Sequence, residues 1–167
     1  SGAVKLWDLR ALAEGASKVA STAHAGEAST VQCSPFAEYL FASGGADKLV
    51  KLWDMRQMNE PLYALSGHEG DVVHVRWSPK QHTILGSSST DKTVRLWDLR
   101  QFSVQADAGE GSSAIKPIFI HAGHTSTVED FSWSASDPWM LASTAQDNTL
   151  HVWQMAQRFQ VPESMVD

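Results

Sequence analysis

The chain of 167 residues has a single cysteine, Cys33, so no disulfide forms within it, and such usage suits a reducing compartment. No apolar run approaches the roughly 20 residues of a membrane-spanning helix, and no secretory signal is visible. Basic residues are scarce late in the chain: residues 101–167 hold eight acids against Lys116 and Arg158 alone. Residues 1–100 hold eleven acids and eleven bases, so the whole net charge of −6 belongs to the later stretch. A one-sided acidic field favours basic partners and argues against a direct nucleic-acid surface. The remaining composition, 43% hydrophobic with seven tryptophans, can supply a core.

What the chain does have is a recurring frame. A histidine is followed by a serine 19 residues on, an aspartate 4 further and a tryptophan 6 beyond. The sets are His24, Ser43, Asp47, Trp53; His68, Ser87, Asp91, Trp97; and His124, Ser143, Asp147, Trp153. The first two lie 44 residues apart and the last two 56. A period in the forties marks stacked, near-identical units, each needing a neighbour to bury its apolar faces.

Within each unit, alternation of apolar and polar residues predicts short half-buried strands. Around the second histidine these are Val72–Trp77, Ile84–Ser87 and Thr93–Asp98. The third strand recurs from Val4, Val50 and Leu150. Outer strands are predicted at Pro61–Leu65, Lys116–Ile120 and near Lys18–Thr22, with proline tolerated at an edge. With Gly67-His68 and Trp53-Asp54, these are the marks of four-stranded propeller blades, and nearly the whole chain resembles the WD-repeat family.

The fold class expected is therefore all-β: WD-repeat β-propeller blades in an open partial propeller, about three blades plus two strands of another. One segment, 1–167, divides into blades near 3–22 (partial), 23–66, 67–121 and 122–156, with a C-terminal tail at 157–167. Arg158 and Phe159 begin a short helix in that tail, limited by Pro162. Roughly thirteen strands fall short of a closed ring of about 4–8 four-stranded blades. The expectation is a piece of a longer protein, with unpaired strand edges.

Serine, histidine and aspartate together raise the question of a hydrolase. A catalytic triad is needed once, with an exposed nucleophile and an oxyanion hole, whereas this set occurs three times. The expected role is structural and the chain is not expected to be an enzyme: aspartate holds histidine, which passes a hydrogen bond through serine to the indole. No cofactor is expected. A zinc site is not expected either, since His121 and His124 lie close but no further ligand pair has suitable spacing. Cys33, at the position of Trp77 and Trp133, reads as a small buried apolar residue.

Function then falls to the loops of one face. Three residues after each framing histidine stand Glu27, Asp71 and Thr127; five after stand Ser29, Val73 and Glu129. Just before each aspartate stand Ala46, Thr90 and Gln146. Acids beside an exposed aliphatic suit an extended basic peptide, carboxylates taking Lys or Arg and Val73 taking their stems.

Longer stretches resemble one family closely. Phe131-Ser132-Trp133-Ser134, Asp137-Pro138-Trp139, Gln146-Asp147-Asn148 and Val152-Trp153-Gln154-Met155-Ala156 are similar to the last blade of the retinoblastoma-binding histone chaperones. So are Ile118 to His124, and Pro61 to Pro79. The resemblance covers about Trp7 to Ala156, the C-terminal blades of a seven-bladed member. It implies a nuclear protein, with the cytoplasm also compatible, that presents the histone three and four pair to chromatin assembly and modifying complexes. It places the histone-three tail at Asp71, Val73, Thr127 and Gln146, although members carry a larger aromatic at Val73 and glutamate at Gln146. The family's second site, for a histone-four helix, maps to the loop Gln101–Ala114 with Asp107 and Glu110, less acidic here than in members. An alternative follows from Trp7-Asp8-Leu9-Arg10, Trp53-Asp54-Met55-Arg56 and Trp97-Asp98-Leu99-Arg100, which resemble the box that docks propellers on a cullin ubiquitin ligase adaptor. In the competing reading each arginine simply pairs with a nearby aspartate.

Overall fold

In a computed structural model of the chain, the residues described are 2–7, 17–20, 23–102 and 115–156. Thirteen strands among them form four antiparallel sheets. β1 (Val4–Trp7) pairs with β2 (Ser17–Ala20). The second sheet holds β3 (Ala28–Cys33), β4 (Leu40–Gly45), β5 (Val50–Asp54) and β6 (Tyr63–Leu65) in sequential order. The third repeats that order with β7 (Val72–Trp77), β8 (Ile84–Ser89), β9 (Val94–Asp98) and β10 (Phe119–His121). The fourth holds β11 (Val128–Trp133), β12 (Met140–Ala145) and β13 (Leu150–Gln154). Each four-stranded sheet is a meander of the kind that makes a propeller blade.

Two outer strands begin later than the alternation predicts, at Tyr63 and Phe119. Pro61 and Pro117 have no N–H to donate, so pairing starts one residue on, with Leu62 N–H to Leu52 O and Ile118 N–H to Leu96 O, both 2.8 Å. The middle strand β8 runs two residues further than predicted, to Ser89, because it is paired on both sides.

The core lies between blades rather than within one. β7 packs on β3 and β4, and β11 on β7 and β8. Ala42, Leu52, Val75, Leu85 and Trp97 fill the first of these seams; Ile84, Leu96, Phe131, Leu141 and Met155 fill the next. Val4 and Leu6 of β1 cover Phe41, Trp53 and Met58. Hydrogen bonds stitch the same seams: Trp77 Nε1–H donates to Gln32 O at 3.1 Å, and Trp133 Nε1–H to Arg76 O at 3.2 Å.

Cys33 corrects an expectation. It holds the register position of those two tryptophans but is exposed, not buried. Its face of β3 points where Trp77 and Trp133 find a preceding first strand, and among the described residues none covers it there. Val31 on the same face is 58% exposed, against 2% for its counterpart Val75.

Candidate functional site

The three polar sets are built alike. In the second blade Trp53 Nε1–H donates to Ser43 Oγ at 2.9 Å, and Ser43 lies 2.7 Å from His24 Nε2. His24 Nδ1 lies 2.7 Å from Asp47 Oδ1. The third blade repeats this through Trp97, Ser87, His68 and Asp91 at 2.8, 2.7 and 2.7 Å. The fourth blade is looser: Trp153 to Ser143 is 3.1 Å, Ser143 to His124 2.8 Å, and His124 to Asp147 3.3 Å. An indole cannot accept, so the serine hydroxyl accepts from it and donates to Nε2, leaving Nδ1–H for the carboxylate. Ser43, Ser87 and Ser143 are 0%, 0% and 1% exposed, which closes their hydroxyls to any substrate carbonyl.

The electrostatics follow from this wiring. Burial alone would raise Asp47 and Asp91, but hydrogen bonds from His24 and Lys51 to the first, and from His68 and Thr93 to the second, hold both below the usual carboxylate range. The Thr149 hydroxyl, then the Thr125 N–H, do the same for Asp147. Burial pushes His68 below its ordinary value against the opposing pull of Asp91. Each aspartate also accepts the N–H two residues on, Leu49, Thr93 or Thr149, which closes the turn around left-handed Lys48, Lys92 or Asn148.

That turn positions the candidate binding ring. Ala46 N–H donates to Glu27 O, Thr90 N–H to Asp71 O, and Gln146 N–H to Thr127 O, at 2.9, 3.0 and 3.0 Å. The three pairs therefore stand at one edge of their blades in matching geometry. Ser29, Val73 and Glu129 each fall at the register shift between first and second strands, a bulge that turns the side chain out of the ladder. Glu27, Asp71, Glu129 and Gln146 are exposed, and Val73 and Thr127 half-buried. Gln146 Nε2–H donates to Glu129 Oε1, and the Thr90 hydroxyl accepts the Asp71 N–H at 2.9 Å. Asp107 and Glu110, the tail at 157–167 and the Asp8-Leu9-Arg10 segment lie outside the described residues.

Both described arginines of the docking boxes close onto their own strand ends. Arg56 grips Asp54 with Nε–H and a second N–H, the shortest contact 2.6 Å, and Arg100 grips Asp98 at 2.8 Å.

His121 and His124, for which the sequence offers no further ligand pair at suitable spacing, have a third imidazole beside them. His151, on β13, lies with its Nδ1 3.1 Å from His121 Nε2, and its ring stacks on His124 at 4.0 Å between centroids. Its distance of 30 residues from His121 hid it from a search on local spacing.

A family model described as WD domain, G-beta repeat, matches residues 17–54, 59–98 and 115–154, well over half of the chain. Repeats of this kind serve as protein-interaction scaffolds, consistent with closed serines and an exposed loop ring. On these matches and on the blades that carry them, the chain belongs to the WD-repeat family.

Proposed function

We propose that this chain is a non-catalytic, histone-binding scaffold, a chaperone subunit that presents the histone three and four pair to chromatin assembly and modifying complexes in the nucleus. The observation that carries the reading is the ring: Glu27, Asp71 and Glu129 are exposed at equivalent edges of successive blades, with half-buried Val73 between them. Such a row suits an extended chain of lysines and arginines with apolar stems. The turn residue beside the ring is lysine in two blades and Asn148 in the fourth, so the acidic excess concentrates where the late-chain charge already lies. The resemblance of the last blade to the retinoblastoma-binding chaperones supports a histone as the basic partner. Gln146, engaged by Glu129, leaves the tail site one carboxylate short of that family and weaker for it.

The test is binding of a purified histone three and four pair to the chain across ionic strength. Affinity should fall steeply between ~0.05 and ~0.5 M salt, since exposed charges are screened over that range. Asp71→Lys should weaken binding of a histone-three tail peptide while leaving Tm unchanged within a few degrees. A flat salt profile, or equal affinity of the variant, removes the ring from the function. A second reading, docking on a ubiquitin ligase adaptor, has Arg56 in its favour, whose side chain is 66% exposed. Capture of the pure adaptor with no histone binding would establish it instead.

A further inference from the structure

The fourth blade departs from its neighbours at two positions, and both departures bring imidazoles together. Where the second and third blades carry Lys51 and Arg95, ion-paired to their aspartates at 3.0 and 3.5 Å, the fourth carries His151. Where the outer strand β6 ends in buried Leu65, β10 ends in His121. With His124 from the intervening loop, one nitrogen from each of three rings lies within 4.8 Å of the other two. We propose that His121, His124 and His151 form a binding site for a divalent late transition ion of the zinc type, clipping the outer strand of the third blade to the fourth.

Several observations converge on that site. Zinc–imidazole bonds of about 2.0–2.1 Å set adjacent ligand nitrogens roughly 3.3 Å apart in a tetrahedron, and His121 Nε2 and His151 Nδ1, which share a hydrogen bond at 3.1 Å, are within reach of that spacing once the His151 ring turns. Gly123 turns the chain between two of the ligands, and a Cβ there would lie 3.1 Å from both the His121 and His151 rings. A side chain there would press both rings back by a few tenths of an ångström. The aspartate bond of His124 is stretched to 3.3 Å, against 2.7 Å in the other two blades. Binding an ion through His124 Nδ1 moves that proton to Nε2, where Ser143 Oγ accepts it, and Asp147 keeps the Thr149 hydroxyl at 2.6 Å and the Thr125 N–H at 2.8 Å.

Loading requires one movement. The His124 and His151 rings lie within 9° of parallel, so their lone pairs cannot both meet one ion as they stand. His124 is anchored by Ser143, so His151 is the ring that turns. Three imidazoles then leave a fourth position for water, a donor set that suits zinc, copper or nickel.

The experiment uses the untagged full chain, stripped with a chelator and titrated with Zn²⁺ by calorimetry, with the histidine ring resonances followed by NMR. One saturable site per chain is expected, with the ring signals of His121, His124 and His151 shifting together. His151→Lys rebuilds the arrangement of the second blade and His121→Leu that of β6, so both should fold with Tm near that of the native chain. Each should lose affinity by at least roughly tenfold, the lower end for losing a group that supports a metal site. Failure of the native chain to saturate overturns the proposal. So does native affinity in a folded variant, or shifts confined to His24, His68, His74 and His82. If a variant fails to fold, the native ring shifts decide the matter alone. Histone affinity is measured separately, so loss of either reading leaves the other standing.

Discussion

Ser87 shows how much one oxygen can hold. It accepts from Trp97 at 2.8 Å and lies 2.7 Å from His68 Nε2, in a site with no exposed surface. Ser87→Ala strands both nitrogens away from water, and the expected loss is ~1–3 kcal/mol, read as a lower Tm by circular dichroism. The same change at Ser143 should cost less, because the looser fourth set has less to lose. Equal losses at the two positions would show that distance does not grade these networks. The same groups set a pH dependence. The folded chain holds His68 and His121 below the ordinary histidine value, and Asp47, Asp91 and Asp147 below the ordinary carboxylate value. On acidification the unfolded chain binds protons that the folded chain refuses, first at histidine below about pH 6.5, then at aspartate below about pH 4. Stability is therefore full above about pH 7 and falls in two stages, which a series of urea midpoints from about pH 7.5 to 3 would trace. A midpoint flat between about pH 7 and 5 would remove the histidine contribution.

At the scale of elements, strands were legible and their seams with loops were not. Alternation placed β7 from Val72 to Trp77, because a half-buried strand must show its period. The bulges at Ser29, Val73 and Glu129 left no trace, since one extra residue shifts register without altering composition. The turns were hidden for another reason. Lys48 and Lys92 adopt φ of 66° and 71°, and lysine does not announce a left-handed residue as Asn148 does. The ring positions could be counted off from the framing histidines because the frame is rigid from blade to blade. The imidazole cluster could not, because His151 reaches it across a whole blade and the motif has no local spacing. Cys33 was misjudged because burial at its position depends on a neighbouring strand, not on the residue.

At the scale of the molecule, stability depends on how each blade's first strand fits the middle strand before it. The middle-strand position opposite Leu52, Leu96 or Val152 holds Ala42, Gly86 or Ala142. Between the second and third blades, Ala42 shares its cluster with Val75. Between the third and fourth, the larger Phe131 takes the place of valine, and the opposing residue shrinks to Gly86. A Cβ on Gly86 would lie 2.7 Å from Phe131 Cε2, so the ring occupies the space of the missing methyl. Gly86→Ala should therefore overpack the seam and destabilise the chain by ~1–3 kcal/mol. Phe131→Val alone leaves a cavity and destabilises it too. Together the two changes rebuild the Ala42 and Val75 pairing in a second seam, and the double variant should be more stable than the sum of its parts by about 0.5–3 kcal/mol. Urea unfolding of the native chain and the three variants measures that coupling. Additive losses would mean that Phe131 swings clear of the added methyl, and that blades meet with slack rather than by matched volume.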